Sequence, residues 1–176
     1  MALADVPAVV ELERLAIEHG WEQAAYEREL TGNALAHYLV LERDAPDGSL
    51  AGFGGFWTQV DETHIVTVAV AVDARRRGFA SLLVMALIDR SIALGMTSAT
   101  LEVRESNTAA RALYRRFGFY DVGLRKRYYL DNNEDAVIMS TEAYDAPSLS
   151  ARLARRRGEI RERFAGTAGL EELLQA

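Results

Sequence analysis

A mixed α/β domain, a twisted sheet with helices on both faces, is what this 176-residue sequence predicts. Three observations carry that reading. Apolar, β-branched runs alternate irregularly with helically spaced segments, so strands and helices are interleaved along the chain. Hydrophobic residues make up 49% of the chain, enough for one full-sized core and too many for wholesale disorder. No internal repeat marks a second domain, so residues 1–146 read as the folded domain and 147–176 as a helical extension.

Asp5 to Glu18 reads as the first helix. Asp5 can cap it, Pro7 suits its first turn and Gly20 its end, and Val9, Leu12 and Leu15 or Ala16 give the buried face. Trp21 to Leu30 reads as a second short helix, closed by Thr31-Gly32-Asn33. Ala36 to Arg43 and Leu50 to Thr58 read as strands joined by a hairpin turn at Asp44-Ala45-Pro46-Asp47-Gly48. Gly52, Gly54 and Gly55 weaken the second of these, so they point to a bulge, a closely approaching neighbour or simply a flexible strand. Gln59 to Thr63 is the next turn and His64 to Val72 the central strand.

The chain is organised around Val66 to Leu83, VTVAVAVDARRRGFASLL. A buried strand here runs through a small-residue turn into a helix. The first amides of a helix have no intrahelical acceptor, and the helix dipole places partial positive charge on them, so such a turn can hold an anion. Gly78 and Ala80 let a phosphate approach the backbone, and Arg75, Arg76 and Arg77 add charge at the mouth. The same pattern also fits an ordinary strand–helix turn with a solvated arginine run.

The helix after this loop runs from about Phe79 to Leu94, with Leu82, Leu83, Met85, Ala86 and Ile88 on a broad apolar face. Ala99 to Arg104 is a strand with Leu101 and Val103 on one side and Glu102 on the other. Ser106 or Asn107 caps a helix through Thr108 to Phe117, which Gly118 stops. Phe119 to Tyr129 returns as a strand, Asp131-Asn132-Asn133 turns, and Ala136 to Ser140 pairs back. From Pro147 the tail is helical, basic around Arg155-Arg156-Arg157 and acidic near Glu171-Glu172. Its Leu153, Ile160, Phe164 and Leu170 could pack on the domain or on a second chain, which leaves the oligomeric state open.

Composition narrows the function classes. A net charge of −6 disfavours a general nucleic-acid binder and suits a basic protein or peptide partner. The absence of cysteine removes disulfides, thiolate metal sites and any acyl-cysteine intermediate, and no metal site is expected. No apolar run reaches transmembrane length and no signal-peptide pattern opens the chain, so no membrane partner is expected and the cytoplasm is the expected compartment.

Two motifs carry chemistry. A strand–turn–helix unit folds back on itself, so it can bring the Glu102 carboxylate and the Tyr114 phenol to one cleft if both face it. Glu102 also reads as a solvent-facing strand residue, Tyr114 as a core aromatic, and Asn107 as a helix cap. The order Arg75-x-x-Gly78-x-Ala80 after a strand resembles the acetyl-coenzyme A loop of the GNAT N-acetyltransferases. The block LEVRESNTAARALYRRFGF, Leu101 to Phe119, resembles the ribosomal-protein-alanine N-acetyltransferase (RimI) branch of that family. Val60 to Ile65, Arg125 to Tyr129 and Glu134 to Met139 are similar to it as well, and the resemblance spans roughly residues 2–140.

The resemblance implies a mostly antiparallel sheet splayed at the central strand. It implies acetyl-coenzyme A as cofactor, with Val68, Ala69 and Val70 along the acetyl and pantetheine part, Arg75, Arg76, Arg77, Gly78, Phe79, Ala80 and Ser81 around the pyrophosphate, and Asn107 on the pantetheine arm. It implies Glu102 as general base, Tyr114 as general acid, and Tyr128 and Tyr129 at the peptide entrance. Trp21 lies near the expected acceptor side, where His19-Gly20-Trp21 replaces a Phe-Pro-Trp-like stretch. The fold's usual first strand has no counterpart before the first helix, Val72 stands where a proline is common, and Ala80 replaces the last glycine. The implied activity is acetylation of a protein N-terminus, with the N-terminal alanine of small-subunit ribosomal protein eighteen as acceptor. A GNAT acting on a small amine or a lysine side chain, and a non-catalytic coenzyme A-binding module, are the alternatives. An α-amine with pKa near 8 is about 10% neutral at pH 7, whereas a lysine is below about 0.1%; that gap of roughly 3 kcal/mol favours the α-amine.

Overall fold

The computed structural model describes residues 1–16, 20–43, 49–167, 169, 173 and 174. The expected end of the first helix at Glu18, His19, the hairpin turn Asp44 to Gly48, and Leu170, Glu171 and Glu172 of the tail lie outside the described residues. The chain opens with a single 3-10 turn, Leu3–Asp5, and then α1, Val6–Ala16, and α2, Gln23–Gly32. Asp5 does not cap the helix as expected. Its carboxylate folds back to accept the Ala2 amide at 2.6 Å. No strand precedes α1 among the described residues; the Met1 ammonium instead donates to the Tyr38 carbonyl at 3.2 Å.

Six strands follow in one sheet: β1 Ala36–Glu42, β2 Leu50–Gln59, β3 Glu62–Val70, β4 Ser98–Arg104, β5 Tyr120–Tyr129 and β6 Glu134–Ser140. Their order is β1-β2-β3-β4-β6-β5, and among the described residues the β3–β4 pair alone is parallel. The remaining helices are α3 Phe79–Ala93, α4 Thr108–Arg116 and α5 Pro147–Arg163. One face of the sheet packs against α1 and α2 through Val6, Val9, Leu12, Tyr26 and Phe53. The other packs against α3, α4 and α5 through Leu83, Leu87, Phe117, Leu149, Leu153 and Ile160. The sheet is therefore covered on both sides, as predicted, and α5 shares the second core. Asp89, buried on α3, ties it there by accepting from Arg157 Nε at 3.1 Å and from the Nη2 of the same guanidinium.

The feature that positions the site is where β3 and β4 stop pairing. They are paired at Glu62↔Ser98, Thr63↔Ala99, His64↔Thr100 and Ile65↔Leu101. Beyond that point β3 runs on to Val70 and β4 to Arg104 without touching in register, so the sheet opens into a cleft. A bulge lies at the same level: Gly55 faces Thr67 while Phe56 faces Ile65, which leaves Val66 with no opposite residue. Gly55 is required there, because a Cβ would stand 2.3 Å from the Tyr38 ring. β3 ends at Val70, two residues short of the expected Val72, because Val72–Ala74 winds into a 3-10 turn that buries Ala74.

Candidate active site

The loop from Arg75 to Ser81 enters α3 through two left-handed residues. Arg76 has φ 60° and Gly78, the residue before the helix, φ 97°. Glycine takes that conformation without steric cost. Gly78 supplies no side-chain cap, and the first helical bond is Leu82 N to Gly78 O at 3.1 Å. The amides of Phe79, Ala80 and Ser81 are thus the orphan donors of the helix start, and they suit an anion. The three arginines do not act together. Arg75 turns back to donate to Ala16 O at 3.1 Å and Val70 O at 3.4 Å, and the Arg77 guanidinium lies 5.4 Å from the centre of the Phe79 ring. A diphosphate fits this loop chiefly through its backbone.

Past the loop, the free edge of β3 carries Val66, Thr67, Val68, Ala69 and Val70 along one wall of the cleft. On the opposite wall, β4 presents Glu102 toward the α1–α2 face. Its side chain is 8% exposed and both oxygens are engaged: Oε2 lies 2.5 Å from His64 Nε2, and Oε1 lies 3.1 Å from Arg125 Nη2. The His64 hydrogen bond holds the Glu102 carboxyl below its usual range against the opposing effect of burial, with Arg125 assisting. Glu102 is therefore an ionised carboxylate at neutral pH. His64 packs edge-on to Trp57 at 6.2 Å, and Trp57 Nε1 donates to Glu29 Oε2 at 2.5 Å. Trp21 stands 6.4 Å from Trp57, so it joins this aromatic wall.

Tyr114 comes from α4 on the other face. It is 8% exposed, its ring meets Phe119 at 5.6 Å, and burial pushes its phenol well above the ordinary range, with the nearby Tyr129 adding to the effect. Tyr129 lies within electrostatic reach of Glu102 too, and burial pushes its own phenol up to about 12. The Arg104 guanidinium lies 3.9 Å over the Tyr129 ring and binds Asp131 Oδ2 at 2.7 Å and Glu134 Oε2 at 3.3 Å, which fixes the β5–β6 hairpin. Tyr128, 43% exposed, has the Arg125 guanidinium 5.4 Å from its ring centre. Asn107 caps α4, its Oδ1 accepting Ala110 N at 3.0 Å, so its side-chain NH2 is what remains for a ligand.

Glu102, His64, Arg125, Tyr128 and Tyr129 thus gather at one end of the cleft, the loop of Arg75 to Ser81 lies at the other, and Tyr114 belongs to the core on the opposite face of the sheet. Residue-type reasoning missed His64, Arg125, Glu29 and Arg104. Only the face of the strand, or for Glu29 of the helix, on which each falls could have signalled them.

Comparison with known proteins identifies the family. The family described as "Acetyltransferase (GNAT) family" matches residues 6–119. The chain belongs to the GNAT family of acetyltransferases. Among its GNAT relatives, the [ribosomal protein bS18]-alanine N-acetyltransferase of Salmonella typhimurium (strain LT2) is 35% identical over 142 residues, covering 80% of this chain and 93% of the relative. A Bacillus subtilis (strain 168) protein that bears the same name provisionally is 37% identical over 139 residues, covering 79% and 90%. The crystal structure of the ribosomal-protein-S18-alanine N-acetyltransferase from Escherichia coli superposes with a TM-score of 0.72 at 31% identity, over 80% of this chain and 89% of that one. The GNAT fold expected from the sequence is the fold observed. Among the described residues, no helix is long and apolar enough to cross a membrane.

Proposed function

We propose that this GNAT enzyme acetylates the N-terminal α-amine of a protein, and that its acceptor is the N-terminal alanine of ribosomal protein bS18. The observation that carries the reading is the ionised, braced Glu102 on the wall of the splayed cleft, opposite the free edge of β3. The bS18-alanine acetyltransferases among its relatives support the choice of acceptor.

When bound, acetyl-coenzyme A supplies an acetyl group on a thioester whose C–S bond breaks as the new amide C–N bond forms. The residues of this chain do the rest. The amides of the Gly78 to Ser81 turn would hold the pyrophosphate, and the edge of β3 that β4 leaves free, at Val68, Ala69 and Val70, would line the pantetheine and acyl end, with the Asn107 amide beside it. Glu102 takes the proton of the acceptor ammonium, directly or through water. A base held below the usual carboxylate range suffices, because an α-amine near pKa 8 is already partly neutral. Tyr114, protonated at neutral pH, hands its phenolic proton to the departing sulfur, and the second proton that the nitrogen loses on becoming an amide restores the phenol. Trp21, Tyr128 and Tyr129 flank the acceptor.

The test is acetyl transfer to an Ala-Arg N-terminal peptide, to the same peptide with a blocked N-terminus and a free lysine, and to free polyamines. Transfer confined to the first substrate supports the reading. Comparable transfer to the lysine peptide or the polyamines overturns it.

A further inference from the structure

We propose that α5 completes the coenzyme site: a pocket formed where α5 crosses the start of α3 and the end of α4 takes the 3′-phosphate of coenzyme A, with Arg163 and Arg116 as its cations. This rests on the coenzyme reading above and extends it to a part of the chain that the family match, ending at residue 119, does not reach.

The pocket holds about 440 Å³ and is lined by Gly78 and Ser81, by Arg116 from α4, and by Arg156, Ile160 and Arg163 from α5. Arg163 Nε donates to Arg77 O at 3.0 Å. That bond sets the guanidinium against the phosphate loop, so that a Cβ on Gly78 would stand 2.6 Å from the same Nε. Its support is rigid. The Phe164 ring packs 5.4 Å from Phe79, Ile160 is buried, and Arg157 on the same helix is bound to the buried Asp89.

The charges in the pocket are not self-neutralising. Glu159 and Glu162 also line it. Glu159 is committed to Arg156, whose Nη1 lies 2.5 Å from Glu159 Oε2. Among the described residues no carboxylate pairs with Arg163 or Arg116. Beyond the Arg156–Glu159 pair, Arg116 and Arg163 outweigh Glu162 by one positive charge; neither guanidinium is paired with a carboxylate, and one is held in place by its own Nε, so together they fit a phosphate monoester, whose terminal oxygens accept a planar pair of N–H donors. Meanwhile Arg75, in the loop itself, is turned away to Ala16 O. Arg116 from α4 and Arg163 from α5 add their charges to this side of the loop.

The position selects the 3′-phosphate. Asn107, at the start of α4, marks the pantetheine side, whereas Arg116 ends the same helix, about 13 Å further along at 1.5 Å per residue. Moving outward from the pyrophosphate, the next anionic group of the coenzyme is the 3′-phosphate on its ribose.

Calorimetric titration of the full chain with coenzyme A and with 3′-dephospho-coenzyme A tests this, using the wild type, Arg163→Ala, Arg163→Gln and Arg116→Ala. A thermal melt of each variant confirms that it is folded. The wild type should bind coenzyme A more tightly than the dephospho form. Each variant should lose about ten- to a hundred-fold in affinity for coenzyme A and almost nothing for the dephospho form, so the preference collapses. Equal losses for both ligands, no loss, or tighter binding by the Arg163 variants would overturn the proposal; the last would mark Arg163 as a plug. Failure of the wild type to bind either ligand would overturn the coenzyme reading itself.

Discussion

His64 and Glu102 meet one residue before and one residue after the last paired position of β3 and β4, with Nε2 and Oε2 2.5 Å apart. An ionised carboxylate only accepts, so His64 Nε2 carries the proton of this bond. The bond is the largest influence holding Glu102 ionised, and burial works against it. In His64→Ala the opposing effect of burial stays while the main support is gone, so the Glu102 pKa rises. The variant's carboxyl therefore takes up its proton at a higher pH than the wild type's. The ratio of variant to wild-type kcat/KM on an N-terminal peptide should therefore fall as pH drops from 7 to 5. Taking the ratio cancels the titration of the acceptor amine. A ratio that is flat with pH would remove His64 from this role.

Glu102→Gln and Tyr114→Phe separate catalysis from binding. Each should reduce kcat by about 10²- to 10⁴-fold, the usual range for a positioned acid or base, while acetyl-coenzyme A affinity stays within a few-fold of wild type. Stopped-flow or steady-state kinetics beside calorimetry gives both quantities. Unchanged turnover would reject the assigned roles.

Gly55 makes room for the Tyr38 ring at the level where the sheet begins to open. Gly55→Val puts a branched side chain where a Cβ alone would stand 2.3 Å from two ring carbons, and Tyr38 is held by Glu29 at 3.3 Å. Overpacking of this kind costs about 1–3 kcal/mol. A urea midpoint lowered to match, with an unchanged m-value, is the expected result.

Glu134 links the β5–β6 hairpin to the turn before α4, accepting Ser106 N at 2.7 Å and binding Arg104 at 3.3 Å. The bonds from Ser106 hold its carboxyl down to about 2. A folded value below the unfolded one of 4.5 stabilises the protein above pH 4.5, and that contribution is lost as pH falls toward 2. The stability gap between wild type and Glu134→Gln should therefore be widest at neutral pH and close between pH 4.5 and 2, as followed by circular dichroism in urea. A gap that does not vary with pH would contradict it.

The parts of this molecule that were legible in its sequence are those set by local chemistry. Asn107 caps α4 because a short polar side chain three residues before an amide does so in any context. Gly78 turns into α3 because only glycine takes φ 97° without strain. The glycines of β2 announced a bulge or a close neighbour, and both are present, as the register break at Gly55 and the Tyr38 ring. What stayed hidden depends on register and on distant helices. His64 reaches Glu102 across 38 residues because β3 and β4 pair with His64 opposite Thr100, an alignment no local pattern encodes. Arg75 reads as part of a cationic loop but finds a carbonyl at the end of α1, 59 residues away. Arg163 reads as one more charge on a basic helix, and only the docking of α5 through Leu149, Leu153 and Ile160 brings it to the loop.

The most direct measurement is a crystal structure of the enzyme with acetyl-coenzyme A and an Ala-Arg N-terminal peptide. The pyrophosphate should rest on the amides of residues 78–81, the thioester between the free edge of β3 and Glu102, and the peptide amine within direct or one-water reach of that carboxylate, with the Tyr114 hydroxyl at the sulfur. A coenzyme lodged outside the splayed cleft, or Glu102 and Tyr114 directed away from the reacting atoms, would contradict it.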